Sequence, residues 1–272
     1  MIEEQLVEAV EQAVRSTVED EVVPRWRRLA EGEVAVKTGP HDLVTVADRN
    51  AELRLTRELT ALLPGSVVVG EEGVSENPAA YAALGGEAPV WIVDPVDGTR
   101  PFVRGETGFC TLVALASQGT VLASWLFAPA RGQMAHARLG AGAWLNGERL
   151  RSGSPAPGAV LDVAHSHPDY TSPEQKRALE GLWADGIAPR ECGAAGLEYL
   201  GVATGRVDAV AFSWELAWDH AAGLLLVAEA GGDHMTLSGE PFRVAGGNAL
   251  PFTAARDAAT ARRVRELLTR RA

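Results

Sequence analysis

Residues 89–99, PVWIVDPVDGT, constrain this chain more than any other stretch. Val90, Trp91, Ile92 and Val93 form a short apolar run bounded by proline on both sides, the pattern of a buried strand. The run stops in acid. Asp94-Pro95-Val96-Asp97 carries proline at the second position of a potential β-turn, which would bring the first and fourth Cα within about 7 Å. Two carboxylates then converge at a strand end, and like charges that close either retain a proton or attract a cation. Gly98 and Thr99 behind them supply a backbone hinge and a hydroxyl. The expectation is half of a magnesium site. An ordinary polar turn is the alternative, since Asp-Pro and Asp-Gly are common loop punctuation. A calcium loop of the EF-hand type is excluded, because Val93 and Pro95 fall where that loop alternates acids.

Composition narrows the class. At 272 residues and 46% hydrophobic content the chain can bury a substantial core, as one large domain or two closely joined smaller ones. Acids outnumber bases 36 to 25, a net charge of −11, which argues against a broad nucleic-acid or anionic-membrane surface. An anionic substrate would need local help from metal ions. Cys110 and Cys192 are too few for a disulfide framework and lack CxxC spacing for zinc, consistent with a reducing compartment. The first residues carry acids in place of a basic leader, and no apolar run approaches ~18 residues. The expected location is the cytoplasm.

Along the chain, Ile2, Leu6, Val10, Val14, Val18 and Val22 form a four-residue ridge ended by Pro24, an amphipathic helix. Residues 37–40 (KTGP) read as a turn, and His41-Asp42 leads toward Thr45-Val46-Ala47-Asp48. A threonine followed three residues later by an acid marks a helix start, with capping as the structural role of Asp48. Residues 66–70 (SVVVG) form a strand that ends in Glu71-Glu72-Gly73, and residues 75–86 read as helix and loop. Strands over 108–117, 120–127 and 133–138 suggest an antiparallel meander, and Asn146-Gly147 is the strongest hairpin signal. Residues 151–158 (RSGSPAPG) mark the best boundary, dividing the chain into 1–152, an α+β half, and 153–272, an α/β half, of one unit. The second half alternates: strand 159–164, helices 173–184 and 194–204, strand 207–212, helix 221–230, a strand near Met235 and a last helix 258–271.

Asp219 stands at the start of the apolar helix beginning WDHAAG, as a cap or a metal ligand. His165 and His167 could share a strand face and His220 adjoins Asp219, but no third nitrogen ligand has zinc spacing. Oxygen donors point to magnesium or manganese.

DLVTVAD at residues 42–48, GEEG at 70–73, WIVDPVDGT at 91–99, and WDHAAG at 218–223 with EAGG at 229–232 occur in one chain in this order. In these motifs the chain resembles the inositol monophosphatase family of magnesium-dependent, lithium-sensitive phosphatases, most clearly over residues 37–232. The resemblance implies a layered αβαβα sandwich, with an antiparallel sheet from the first half and a mixed sheet from the second, commonly dimeric. It implies that Glu71, Asp94 and the Val96 carbonyl hold a first metal ion and Asp94, Asp97 and Asp219 a second, two to three ions in all, with Glu72 in support. Asp48 and Thr99 would orient and deprotonate the attacking water, with Glu71 also catalytic. Substrate contacts would come from Asp97, Gly98, Thr99, Gly193, Ala194, Ala195, Glu215 and Asp219. The reaction would be hydrolysis of a small phosphorylated polyol without a phospho-enzyme, and the partner a second copy of the chain, with neither nucleic acid nor membrane.

The chain also departs from the pattern. Gly98-Thr99-Arg100-Pro101-Phe102 stands where the family commonly shows Gly-Thr-x-Asn-Phe, and proline removes a donor and an amide together. Arg100 and Arg104 are candidate anion contacts. Inositol-selective members carry an acid seven residues before the WD aspartate; here that position is Phe212, with Glu215 nearer. Inositol monophosphate is the default substrate. Histidinol phosphate follows, because residues 102–105 (FVRG) resemble that branch, and adenosine bisphosphate is third. A non-catalytic sugar-phosphate-binding relative would be expected to lose the water-activating pair or a metal acid, and a glycosidase needs only two spaced carboxyls.

Overall fold

Period-two alternation along the strands stacks this chain into layers. The computed structural model describes residues 2–37 and 43–270. One sheet has seven strands in the spatial order β3 (Val67–Gly70), β4 (Val90–Asp97), β5 (Cys110–Ser117), β6 (Thr120–Ala128), β7 (Gln133–Arg138), β8 (Gly142–Leu145), β9 (Glu148–Arg149). It is antiparallel from β4 onward, with one parallel pair at its β3 edge. The β8–β9 hairpin turns at Asn146 and Gly147, whose φ angles of 50° and 83° are the mirror-image turn that matches strand twist. A mixed five-stranded sheet has the order β11 (Ile187–Glu191), β10 (Leu161–His165), β12 (Ala209–Phe212), β14 (Phe252–Ala255), β13 (Asp233–Met235). A ribbon pairs β1 (Val34–Val36) with β2 (Leu43–Thr45).

Trp91, Val93, Val113, Leu115 and Trp125 turn one face of the larger sheet toward Val7, Val10 and Val14 of α1 (Glu4–Thr17) and Ala51, Leu55 and Leu59 of α2 (Val46–Leu62). Their neighbours Ile92, Leu112, Ala114 and Leu126 face the opposite way, into a core shared with α6 (Ala195–Ala203) and α7 (Ala217–Glu229). The smaller sheet closes that core with Val210, Phe212 and Phe252, and turns Val163, Ala209, Ala211 and Ala255 toward α5 (Pro173–Leu179) and α8 (Ala258–Thr269). The result is the αβαβα sandwich. Because α6 and α7 lie between two sheets, they are apolar around most of their circumference, and β4 is buried along its whole length. One core runs from Val69 to Phe252, joining both halves.

The valine ridge of the first helix is as expected, though its last turn, Val18–Val22, widens to a π-helical turn. Other expectations change. The helix expected at residue 221 begins at Ala217, which puts Asp219 in its first turn with Leu216 at the cap. The acids expected at the end of the strand lie just beyond it: β3 stops at Gly70 and they open α3 (Glu71–Glu76), followed by a 3-10 turn at Pro78–Gly85. Strands β11 and β14 were not legible, being short and mixed in character. Apart from Lys37, the turn expected at residues 37–40 and the lead-in at His41 and Asp42 lie outside the described residues, as does Arg271.

Candidate active site

The turn expected at Asp94–Asp97 is instead a bulge within β4. Pairing passes from Asp94 opposite Leu112 to Asp97 opposite Cys110, so β4 carries one extra residue. Pro95 explains the break, since it has no N–H for the ladder. Its carbonyl accepts from the Thr111 hydroxyl at 2.7 Å, and the Val96 N–H turns back to Asp94 Oδ1 at 3.0 Å. In an unbroken strand residues three apart face opposite sides; the extra residue brings Asp97 round to the side of Asp94.

Asp219 completes the group from α7. Asp94, Asp97 and Asp219 each offer a carboxylate oxygen within 4.8 Å of the others. The donors to Asp97 are the amides of Ala195 and Gly196 at 3.2 and 2.6 Å and the Cys110 thiol at 3.4 Å. A Cβ on Gly196 would lie 2.7 Å from Cys110 Sγ and 3.0 Å from Asp97 Oδ2, so glycine is what lets α6 approach. Asp219 Oδ2 accepts from the Trp214 indole at 2.6 Å. No salt bridge reaches the three among the described residues. Burial and then the neighbouring carboxylates hold Asp94 and Asp219 well above the usual carboxylate range; burial lifts Asp97 to about 6 against its amide donors. Carboxylate oxygens that are buried at Asp94 and Asp97 and half-buried at Asp219, short of positive charge, fit a hard divalent cation, and this acidic cluster could hold one.

Glu71 and Glu72 have a different arrangement. Lys37 Nζ bridges them at 2.7 Å each. Burial alone would lower the lysine pKa, yet the two carboxylates outweigh it and raise it. Glu71 therefore lies on an ammonium here and stands outside the three-carboxylate group, although its charge acts on all three aspartates. Beneath this turn Glu52, lifted by burial to about 7, accepts from the amides of Glu72 and Gly73 at 2.8 and 2.6 Å.

Asp48 forms the capping box: Oδ2 accepts from the Thr45 amide and hydroxyl. Its second oxygen, Oδ1, is buried without a hydrogen-bond partner. Burial, with Glu71 and Glu72 adding to it and Thr45 opposing it, raises Asp48 to about 7. Thr99 opens the short helix α4 (Thr99–Val103) after Gly98, whose φ of +88° needs glycine. Its hydroxyl donates to Val96 O at 3.1 Å, so Asp48 and Thr99 are not hydrogen-bonded to each other. Pro101 costs no backbone hydrogen bond, because N–H groups in a helix's first turn have no intrahelical partner.

Phe212 is fully buried, its ring 4.6 Å from Trp214 and 6.1 Å from Phe252, so it belongs to the core and offers the leaving group nothing. Glu215 Oε2 accepts from the amide and the side chain of Asn248, both at 2.8 Å. Ala194 and Ala195 are buried beside Gly98 and Asp97, with Gly193 exposed at the rim. Arg100 pairs with Asp169 at 2.8 Å, and Arg104 is exposed. His220 is buried, its pKa lowered by burial to about 3, between the Tyr199 hydroxyl and Trp214 O, and among the described residues no histidine joins the acidic group.

Lys37, Glu52 and Trp214 are the residues that reading the sequence missed. Glu52 did leave a signal: it sits four residues after Asp48, on the same helical face. Lys37 and Trp214 left none, since nothing local ties them to acids distant in sequence or across a loop.

The chain matches the model of the inositol monophosphatase family over residues 3–269. It is 30% identical over 241 residues to inositol-1-monophosphatase of Bacillus subtilis, covering 82% of this chain and 87% of that one. It is 35% identical over 235 residues to inositol-1-monophosphatase of Rhizobium meliloti, covering 84% and 82%. A solved structure of an inositol monophosphatase (IMPase) from Thermotoga maritima superposes with a TM-score of 0.77 at 28% identity, covering 98% of both chains. No helix among the described residues is long and apolar enough to cross a membrane. The chain belongs to the inositol monophosphatase family and is a phosphoric monoester hydrolase.

Proposed function

We propose that this hydrolase cleaves the phosphate monoester of a small polyol, inositol monophosphate being the default, with two or three magnesium ions as cofactor and manganese as substitute. The observation that carries the reading is the meeting of Asp94 and Asp97, both buried, with the half-buried Asp219: their carboxylate oxygens lie within 4.8 Å and lack a cationic side chain among the described residues. Glu71, Asp94 and the Val96 carbonyl would hold the first ion, and Asp94, Asp97 and Asp219 the second. Bound there, the ions would supply charge neutralisation for the phosphate and the leaving alkoxide. Asp48 keeps Oδ1 unpartnered and is the acceptor for the proton of the attacking water. A pKa raised to about 7 suits a base working near neutrality. Thr99 donates its own proton to Val96 O, which leaves its oxygen lone pairs to orient that water. The Ala195 and Gly196 amides hold Asp97 in place. Gly98, Gly193, Ala194 and Glu215 complete the proposed substrate contacts, in a cytoplasmic homodimer.

A histidinol phosphate substrate is the second reading. It is favoured by Phe212 lying in the core and by Glu215 being engaged with Asn248, which leaves no acid committed to ring hydroxyls. Phosphate release with magnesium over inositol monophosphate, histidinol phosphate and adenosine bisphosphate separates these. Fastest turnover of inositol monophosphate is expected. Turnover of none of the monoesters would sink the reading.

A further inference from the structure

We propose that Trp214 is a positioning residue of the metal centre: its indole N–H fixes one oxygen of Asp219 and leaves the other for a divalent cation. The inference rests on the metal-phosphatase reading above. The Trp214 Nε1 to Asp219 Oδ2 hydrogen bond is 2.6 Å long. An indole N–H can only donate, so unlike a hydroxyl it specifies an acceptor oxygen and cannot reverse its role.

The backbone that carries the indole is held at consecutive residues. Gln175 Nε2 donates to Ser213 O at 2.7 Å, His220 Nε2 to Trp214 O at 3.0 Å and the Tyr81 hydroxyl to Glu215 O at 3.2 Å. The Ser213 amide donates to Ser166 Oγ at 2.8 Å. Because Trp214 O accepts only, His220 carries its proton on Nε2, and Nδ1 accepts from the Tyr199 hydroxyl at 2.9 Å. The indole itself lies against Phe212 and His220, at 4.6 and 5.1 Å between ring centroids. Surface loops ordinarily leave such carbonyls to water; here three in a row are fixed by side chains from separate elements. The loop is preorganised, and what it presents is one donor to one carboxylate. Partners that orient a ligating group are typically worth about 10–100-fold in metal affinity.

Trp214→Phe keeps a ring and removes the N–H. Manganese binding, read directly from the electron paramagnetic resonance signal of the free ion, is expected to weaken about tenfold or more. The manganese concentration for half-maximal activity should rise in step, with kcat largely recovered at saturation. Trp183→Phe, at an exposed tryptophan outside the site, should bind manganese as the unaltered protein does. Binding by Trp214→Phe within about twofold of the unaltered protein overturns the proposal. Should that variant fail to fold, the Trp214 indole proton resonance of the unaltered protein decides: it must move during a magnesium titration with the midpoint of metal binding, and a stationary signal overturns the proposal. An unaltered protein that binds no manganese overturns this inference and the metal-phosphatase reading together, whereas binding that ignores Trp214 removes only the inference.

Discussion

Two groups of acids in this molecule have opposite constructions. Asp162 and Glu198, on the outer sheet and α6, are met by Arg190: Nε reaches Asp162 at 2.8 Å and the two terminal nitrogens reach Glu198 at 2.8 and 2.6 Å. Asp94, Asp97 and Asp219 meet one another, and the hydrogen-bond donors around them among the described residues are amides, a thiol and an indole. The first group carries its own cation and is structural. The second is mostly buried and meets no cationic side chain among the described residues, a costly arrangement unless protons or a cation from solution complete it. Glu71 and Glu72 stand between these cases, since Lys37 is a cation of the chain and already pairs with Glu71, the carboxylate proposed above for the first ion.

The largest test of this contrast is Asp94→Asn. It should lower metal-dependent phosphate release by about three orders of magnitude, roughly 4 kcal/mol of transition-state stabilisation. The variant should melt in chelator no lower than the unaltered protein, because it removes repulsion. Retained activity at saturating magnesium would break the site assignment.

Next in size is the pH dependence of stability in chelator. Asp97 at about 6 and Asp48 and Glu52 at about 7 keep protons in the folded state that the unfolded chain releases near pH 4. Their stabilising contribution is therefore complete below about pH 4 and lost as pH rises through about 6 to 7, at up to ~1.4 kcal/mol per pH unit for each group. Melting temperature in chelator should fall between about pH 5 and 7. Saturating magnesium should flatten or reverse that slope.

Lys37→Met sharpens the intermediate case. Freeing Glu71 of its ammonium should tighten divalent binding, by about tenfold on a direct manganese titration, at some cost to stability without metal. Unchanged or weaker binding would make Lys37 part of the metal site and not a competitor for it. The smallest effect belongs to the compensated group: Arg190 is partly exposed, so Arg190→Gln should cost about 1 kcal/mol or less in a urea melt and leave manganese binding untouched.

By itself the sequence determined the elements and the chemistry of their ends. The apolar run into Asp94, the β-branched strand before Glu71, the helix start at Thr45 and Asp48, the Asn146-Gly147 hairpin and the apolar helical turns that follow Trp218 and Asp219 are local patterns, read from side-chain period and backbone preference. Strands alternating with helices in the second half also implied an α/β layer.

Tertiary structure alone decided which acids meet and which are already engaged. A β-turn and a bulge at Pro95 look alike in sequence, and the register against Cys110 and Leu112 distinguishes them. Asp97 is held by amides nearly a hundred residues away, Glu71 by Lys37 and Asp219 by Trp214 across a loop. Phe212 lies in the core because β12 packs its alternate residues on α6 and α7, whatever acid the family places there. Hydrogen bonds and charge pairing act over a few ångströms of space, and only the stacking of the two sheets around α6 and α7 brings these distant residues that close.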